Sequence, residues 1–218
     1  MSRREDKVVS KRVLERLPFY LHFLKQKYNE GVTSISAPII ASDLGQNEVQ
    51  VRKDLALVSL VGGKPKTGYD IHTLILDIES FLGYNNENKA VLVGAGHLGR
   101  ALLSYEGFND SGVEVVAAFD MDKSLQNREI NGRKIYPMEC IEEISKNYNA
   151  HIGIITVPSN AAQEVCDKLV ESGVLAILNF APIRLSVPEN ILVQNENTAT
   201  SLAVLSRHLN EKKSDKRQ

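Results

Sequence analysis

Apolar residues in the first third of the chain recur at the spacing of α-helices. Residues 8–28 follow one helical stripe, but Pro18 interrupts it, so the pattern predicts either two helices or one kinked helix. Ser34 and Ser36 are candidate N-caps for a short helix that ends at Gly45. The apolar positions of the first stripe are Val9, Val13, Leu17, Phe19–Leu21 and Leu24.

A third helical pattern follows in Glu48–Val58, with Asn47 as its N-cap. Val51, Leu55 and Val58 recur at i, i+4 and i+7, which predicts that they face a core. This spacing leaves four polar residues on or near the other faces of the helix: Gln50, Arg52, Lys53 and Asp54.

Two short helices joined by a glycine-containing turn are typical of a helix-turn-helix motif. In such a motif, arginine and glutamine near the start of the second helix can reach base edges, where each can make a bidentate contact. The glycine-rich, basic segment 62–69 is a candidate hairpin that would contact phosphates as a wing. A small helical dimerisation module with a solvated polar face would show the same pattern. The candidate DNA-binding residues are Asn47, Gln50, Arg52, Lys53, Lys64 and Lys66.

The pattern changes after a linker helix, Ile71–Leu82, that Asp70 caps and Gly83 closes. Short apolar runs then alternate with helical patterns, which predicts a parallel, doubly wound α/β sheet. An apolar-faced helix, 198–209, carries Leu202, Leu205 and Leu209, and we expect the charged tail after it to be disordered. The candidate strands are the run that ends at Val93 and Val113–Phe119, Ile152–Val157, Val174–Asn179 and Ile191–Val193, and the candidate helices between them are Met138–Lys146 and Asn160–Ser172.

The turn after the first of these strands reads Gly94-Ala95-Gly96-His97-Leu98-Gly99 and opens directly into a helical pattern. In a dinucleotide site the first glycine permits a tight turn, the second lets the backbone approach a pyrophosphate, and the third lets the helix pack on the strand. The helix N-terminus then offers unpaired N–H groups to the phosphates. Asp120 ends the next strand, where a carboxylate binds a ribose and repels a 2′-phosphate.

Thr156, Val157 and Pro158 follow the strand that begins at Ile152 and therefore lie at the carboxyl edge of the sheet, where ligands bind. An ordinary strand-to-helix turn, with Ser159 as the N-cap, fits the same residues. Both interpretations can hold together.

Charge and composition narrow the class of protein. Residues 1–68 carry a net charge of +5 and residues 69–218 carry −6, which suggests that only the front of the chain meets a polyanion. A solvated charged face would give the same counts. No apolar run reaches 18 residues, and the charged start has no apolar segment of a secretory signal, so we expect a cytoplasmic protein with no membrane span. Cys140 and Cys166 lie far apart with no metal-ligand spacing, so we expect reduced thiols and no metal site.

None of the five histidines pairs with a carboxylate at a recognisable catalytic spacing, and no sequence remains for a substrate domain. We therefore expect the nucleotide to be sensed rather than reacted, and the protein not to be an enzyme. The rival interpretation is an NAD-dependent oxidoreductase with an appended helical module. A CoA- or nucleotide-binding subunit and a thiol redox sensor are further alternatives.

The chain resembles the Rex family of redox-sensing transcriptional repressors over nearly its whole length. The resemblance implies a homodimer that binds an inverted-repeat operator, with NAD⁺ permitting binding and NADH releasing the DNA. It also implies that Gln50, Arg52 and Lys53 belong to the recognition helix and that Tyr105 lies near the nicotinamide. The motifs that carry it are Val49–Leu55, Gly68-Tyr69, Gly94–Leu102, Tyr105–Phe108, Phe119-Asp120, Val157–Gln163 and Ile177–Pro182.

The resemblance also fixes the expected domains: a winged helix-turn-helix domain with its linker helix at 1–83, a Rossmann-type NAD(H)-binding domain at 84–197, a domain-swapped helix at 198–210 and a disordered tail at 211–218. His22 and Asn197 stand where the family often has an arginine and an aspartate, and Thr198 where it more often has a large apolar residue. The family pair links the swapped helix to the DNA-binding domain. We therefore expect these three positions to alter the switch.

Overall fold

The chain separates into two units, one ending at Asn86 and the other beginning at Glu87. The boundary lies a few residues after the predicted one. A computed structural model describes residues 9–215, without the side chains of residues 198, 214 and 215. The last residues of the predicted tail, 216–218, lie outside the described part of the chain.

The first unit is helical with a small hairpin. Its elements are α1 (Lys11–Asn29), β1 (Ser34–Ile35), α2 (Ala37–Asp43), α3 (Glu48–Val58), β2 (Tyr69–Asp70) and α4 (Ile71–Leu82). β1 pairs antiparallel with β2, and Lys64 and Gly68 exchange two backbone hydrogen bonds across the loop before β2. The predicted helix-turn-helix with a wing is therefore present, as α2, α3 and the loop that follows them.

Caps explain where these helices begin and end. The Asn47 side chain accepts a hydrogen bond from the Gln50 N–H at 3.2 Å, and the Asp70 carboxylate accepts one from the Thr73 N–H at 2.8 Å. Gly83 closes α4 in the left-handed conformation, with φ of +76°. These three predictions are confirmed. Ser34, by contrast, lies in β1 and caps no helix.

Pro18 lies inside α1, so of the two predicted alternatives, two helices or one kinked helix, the first is wrong. The missing N–H at a proline removes one helical hydrogen bond. Buried side chains on both sides of Pro18 hold the helix against the core of the unit, and this packing offsets the loss. These side chains are Leu17, Tyr20, Leu21 and Leu24.

The second unit is a doubly wound α/β fold, as predicted. Its elements are β3 (Asn88–Val93), α5 (His97–Leu103), α6 (Gly107–Asp110), β4 (Val113–Asp120), β5 (Glu129–Ile130), β6 (Arg133–Pro137), α7 (Ile141–Tyr148), β7 (Ile152–Ile155), α8 (Ser159–Glu171), β8 (Ala176–Asn179), β9 (Leu192–Asn195) and α9 (Thr198–Asp215). The strand order is β5-β6-β4-β3-β7-β8-β9, and all pairs are parallel except β5 with β6. The six parallel strands thus follow the Rossmann order 3-2-1-4-5-6.

Successive residues of β3 enter different apolar clusters. Val91 and Val93 pack with Phe119 and the helices α7 and α8, whereas Ala90 and Leu92 pack with Leu103 on the other side. Adjacent side chains of a strand point to opposite faces, so the sheet carries a core on each face. β3 is therefore covered on both faces, and the turn that begins at Gly94 follows the carboxyl end of a central strand of the sheet.

Several predicted boundaries of this unit need correction. The pattern did not predict β5 and β6, and α8 begins at Ser159, with Pro158 in the cap position. The predicted helix at 138 starts as a 3-10 turn, Met138–Cys140. The last helix continues to Asp215, so residues 211–215 are helical where a disordered tail was expected.

Candidate dinucleotide site and DNA-binding surface

The turn after β3 requires its first and third glycines for different steric reasons. Gly94 has φ of +102°, and a Cβ there would lie 2.9 Å from the carbonyl carbon of Thr156. A Cβ on Gly99 would lie 1.9 Å from the Gly94 oxygen, so the first turn of α5 can sit against the loop only without a side chain. Both glycines therefore fix the shape of the loop itself.

Gly96 differs, because a Cβ there would meet no atom of the described residues, 9–215, within 4 Å. Its φ of −68° is open to any residue. No contact within the described part of this unit therefore explains the glycine, and the open space beside it is where a pyrophosphate would approach the backbone.

The Thr156 hydroxyl ties the loop to the neighbouring strand. Its oxygen lies 2.6 Å from the carbonyl oxygen of Gly94 and 3.0 Å from that of Val93, so it donates to the turn. β3 and β7 are the two strands at which the order of the sheet reverses. Such a switch point opens a crevice for ligands, so Thr156 stabilises one wall of it.

A cavity of about 220 Å³ occupies this crevice. Six of the predicted cofactor residues line this cavity. Met121, Met138, Ala161 and Val165 complete the lining with the strand residue Val93 and were not predicted. The predicted members are Gly94, Gly96, Asp120, Thr156, Val157 and Pro158.

The Asp120 carboxylate is fixed at the edge of the cavity by backbone donors. Its Oδ2 accepts from the Ala95 N–H at 2.6 Å, and its Oδ1 accepts from the Asp122 N–H at 2.8 Å. Each carboxylate oxygen can accept about two hydrogen bonds, so capacity remains for the hydroxyls of a ribose. The carboxylate is thus held where it would meet the adenosine half of a dinucleotide.

Five predicted cofactor residues lie outside the lining of this cavity, and two of them, Ala95 and Gly99, are buried in the loop and the first turn of α5. His97 and Leu98 are exposed in the first turn of α5. Tyr105 is 59% exposed and packs edge-to-face on Phe108, with ring centroids 5.2 Å apart. A Cβ on Gly107 would come within 2.5 Å of the Tyr105 ring, so Gly107 leaves room for that ring. Their contact with a cofactor stays a prediction.

Two of the predicted switch residues are exposed, one in each unit. His22 lies on α1 beside a shallow groove that Phe19 and Leu44 also line. Asn197 precedes α9, and its side-chain oxygen accepts from the Thr200 N–H at 3.0 Å, so it acts as an N-cap. The aspartate that the family often has at this position would cap a helix equally well. Asparagine in its place therefore removes a negative charge and keeps the cap. The side chain of Thr198 lies outside the described residues.

The α3 helix and the loop after it present a basic surface. Arg52 and Lys53 are exposed on α3, and Arg52 forms an ion pair with Glu48 at 2.6 Å. Lys64 and Lys66 are exposed on the loop, and Lys66 has φ of +68°. An exposed i,i+4 ion pair is weak, so Arg52 can exchange Glu48 for another anion at little cost.

Asp54 is buried, and this corrects its predicted place on a polar face of α3. Its carboxylate is 1% exposed and accepts hydrogen bonds from Arg16, Tyr20 and Gln50. Gln50 is therefore partly buried and bound inside the unit by its amide nitrogen. The donors Arg16 and Tyr20 lie on α1, far away in sequence, and no local pattern indicates the pairing.

Gly68 fixes the base of the wing. Its φ is +77°, and a Cβ there would lie 2.3 Å from the Ile35 oxygen. The wing can thus pass over β1 only with glycine at this position.

Thiol and metal chemistry find little support in the described part of the chain. Residues 9–215 contain no group of three histidines, cysteines or acids that could hold a metal ion. Burial raises the pKa of the Cys166 thiol, which makes it less reactive. Within the same residues, no helix is long and apolar enough to cross a bilayer.

Comparisons with known proteins agree with this division of the chain. The sequence-family model described as "Putative DNA-binding protein N-terminus" matches residues 8–56, and the one described as "CoA binding domain" matches residues 85–183. The redox-sensing transcriptional repressor Rex of Treponema denticola is 42% identical to this chain, over 96% of this chain and 99% of its own length. The chain belongs to the Rex family.

Other Rex proteins and their structures extend the comparison. The redox-sensing transcriptional repressor Rex of Bacteroides fragilis is 39% identical, over 90% of this chain and 89% of its own length. A crystal structure of RSP in complex with β-NAD⁺ and operator DNA matches with a TM-score of 0.90 and 31% identity, over 97% of each chain. A structure of RSP with β-NADH matches with a TM-score of 0.84 and 30% identity, over 97% of this chain and 99% of that one. The fold is therefore that of Rex proteins in both units.

Proposed function

We propose that this Rex-family chain is a transcriptional repressor that binds an inverted-repeat operator and is released from it by NADH. The observation that carries the proposal is that one chain holds both a winged helix-turn-helix and a dinucleotide crevice. RSP, which matches over nearly the whole chain, has been crystallised with operator DNA and with both forms of NAD. The family's members are named as repressors, which supports a sensor over an oxidoreductase.

The residues of the crevice fit NAD(H). The open space beside Gly96 suits a pyrophosphate, and the fixed carboxylate of Asp120 suits an adenosine ribose without a 2′-phosphate. The bound nucleotide would supply the redox signal, because its two forms differ in the charge and shape of the nicotinamide ring. No residue of this chain needs to transfer a hydride for that signal to be sensed.

A switch of this kind requires that NADH bind the DNA-free state better than the DNA-bound state. The coupling is reciprocal, so operator DNA must weaken NADH binding by the same factor. A gel-shift titration over a series of NADH/NAD⁺ ratios, with the upstream region of the protein's own gene as the first probe, tests the proposal. Equal DNA affinity at all ratios would contradict it.

We further propose that α9 packs on a second copy of the chain. Along this helix Leu202, Leu205 and Leu209 are 66%, 64% and 50% exposed, on a stripe that would be buried in a partner. The family resemblance implies a swapped helix at this position. Sedimentation of the protein at micromolar concentration, compared with a Leu202→Glu, Leu205→Glu variant, would show whether this face holds a homodimer together.

The Asp120 carboxylate should make the protein prefer NADH to NADPH. Two unit charges 4 Å apart repel by about 1 kcal/mol in water and about 4 kcal/mol near a protein surface. We therefore expect NADH to bind at least about fivefold more tightly, and Asp120→Ala to narrow the difference. Calorimetric titration with NADH, NADPH and CoA measures it, and comparable affinities for the two dinucleotides would show that Asp120 does not select.

The recognition helix and the wing should respond differently to mutation. Arg52→Ala should cost about 1–3 kcal/mol and relax base preference if its contact is bidentate. Lys64→Ala and Lys66→Ala should weaken all sequences alike and lower the salt slope by about one each. Fluorescence anisotropy on operator and random duplexes over a salt series separates the two. A changed base preference in the lysine variants would mean that the wing reads bases.

The switch of this chain should depend less on NAD⁺ than that of relatives with the arginine–aspartate pair, since His22 and Asn197 cannot form that salt bridge. Restoring the pair with His22→Arg and Asn197→Asp should raise the effect of NAD⁺ on DNA affinity. Positions that communicate show a coupling of about 0.5–3 kcal/mol in a double-mutant cycle. Additive effects, with and without NAD⁺, would mean that the two residues do not act together.

A further inference from the structure

The buried carboxylate of Asp54 has all of its hydrogen-bonding capacity filled by donors. Oδ1 accepts from the Gln50 amide nitrogen at 2.8 Å and from Arg16 Nη2 at 3.0 Å. Oδ2 accepts from Arg16 Nε at 2.7 Å and from the Tyr20 hydroxyl at 3.0 Å. An ionised carboxylate has about four lone-pair sites, so no site is left for a further partner.

The partners of Asp54 remain donors throughout the physiological pH range. The hydrogen bond to Asp54 raises the pKa of Arg16, and burial, followed by the hydrogen bond to Asp54, raises the pKa of Tyr20 to about 12. The Asp54 carboxylate is 1% exposed, and a charge buried to this degree must be paired. Arg16 and Tyr20 therefore keep their protons in this pH range and donate to Asp54 rather than accept from it.

This arrangement fixes which end of the Gln50 amide faces the protein. A carboxylate accepts and never donates, so the NH₂ group of Gln50 must face Asp54. If the amide were rotated by 180°, its oxygen would lie against Oδ1 of Asp54. Two buried acceptors would then be in contact, and Oδ1 would lose the hydrogen bond from Gln50. The carbonyl oxygen of Gln50 is thereby turned away from Asp54.

We infer that Asp54 is a positioning residue that makes Gln50 present a hydrogen-bond acceptor to DNA, so that the operator carries adenine or cytosine at the contacted position. The carbonyl oxygen of Gln50 can pair with the exocyclic amino group that these two bases offer in the major groove, whereas guanine and thymine offer that oxygen only acceptors. Asp54 uses one N–H of the Gln50 amide, and the second N–H can add a bond to N7 of adenine. The inference rests on the proposed function, in which α3 enters the major groove. Arg16 and Tyr20 act on base choice only through Asp54.

A selection from a randomised duplex library tests this inference. It is carried out in parallel with the full-length parent protein and with Gln50→Ala, Asp54→Asn and Asp77→Asn. The new amide of Asp54→Asn would offer a donor as well as an acceptor, so either orientation of the Gln50 amide would be allowed. Asp77 is the matched control, because it is another buried carboxylate of the same unit, 7% exposed, and accepts from the Leu60 N–H at 2.8 Å. An asparagine side chain can still accept that bond.

The parent and Asp77→Asn should enrich the same operator, with adenine or cytosine at one position in each half-site. Gln50→Ala should lose the preference at that position alone, and folded Asp54→Asn should lose it too, while both keep their affinity for random DNA within about threefold. A parent-like base preference in folded Asp54→Asn would overturn the inference and leave the proposed function standing. Absence of any enriched sequence for the parent would overturn both.

Circular dichroism establishes whether Asp54→Asn folds, and a second measurement uses the parent protein alone. The contacted base is replaced by an analogue without its exocyclic amino group, purine for adenine or 2-pyrimidinone for cytosine. The affinity of the parent should fall about tenfold, and that of Gln50→Ala should not change. An unchanged affinity of the parent would overturn the inference.

Discussion

Gly99→Ala is expected to leave the protein able to bind its operator but unable to be released by NADH. A Cβ at this position would lie 1.9 Å from the Gly94 oxygen, so the loop and α5 must move apart. The backbone N–H groups of the loop would then no longer point toward the pyrophosphate of a bound NADH. Charge-assisted hydrogen bonds contribute about 1.5–3 kcal/mol each, so losing two would weaken NADH binding at least about a hundredfold.

Gly96→Ala provides the comparison, because its methyl group would meet no atom within 4 Å in the part of the chain that the structure describes. It should keep the parent's Tm and still weaken NADH binding through contact with the pyrophosphate, whereas Gly99→Ala should lose about 1–3 kcal/mol of stability as well. Calorimetric titration and thermal unfolding separate the two effects. NADH affinity equal to that of the parent in Gly99→Ala would refute the steric argument.

Asp54→Ala should destabilise the DNA-binding unit by about 3–5 kcal/mol, since it leaves the Arg16 guanidinium partly buried without its partner. The Arg16 side chain is 21% exposed and makes two bonds to this carboxylate. An Arg16→Met, Asp54→Leu double variant removes both charges and should be destabilised less than Asp54→Ala.

Urea unfolding followed by circular dichroism measures both variants. NADH should stabilise only the unit that binds it, so the transition that does not move when NADH is added belongs to the DNA-binding unit. A loss below about 1 kcal/mol in Asp54→Ala would show that water replaces the carboxylate without penalty.

Local sequence was enough to predict the elements that position the dinucleotide crevice. The glycine spacing after an apolar run, and an acid at the end of the next run, each correspond to one local geometry. The structure places Gly94 and Asp120 at one cavity, as that geometry requires. The helix caps at Asn47 and Asp70 were equally predictable, because a cap depends on the next three residues alone.

The features of the fold and of the site that the sequence did not predict depend on contacts between distant segments of the chain. An aspartate on an amphipathic helix reads as exposed, and only the approach of Arg16 and Tyr20 from another helix allows Asp54 to be buried. The strand β5 has only two residues, and β6 has a single buried residue, Ile135, so neither strand forms an apolar run that marks it in the sequence. Continuation of α1 through Pro18 likewise depends on tertiary packing, which overrides the local preference of proline to end a helix.

The exposed leucines of α9 also have a genetic consequence. Under the proposed pairing, a chain that keeps Leu202, Leu205 and Leu209 but lacks the lysines of its wing would still assemble with intact chains. Each mixed pair would carry one working DNA-binding unit for an operator with two half-sites. Such an allele should therefore be dominant, derepressing target genes in a cell that also carries the wild-type gene, whereas an allele that loses both α9 and the wing should be recessive.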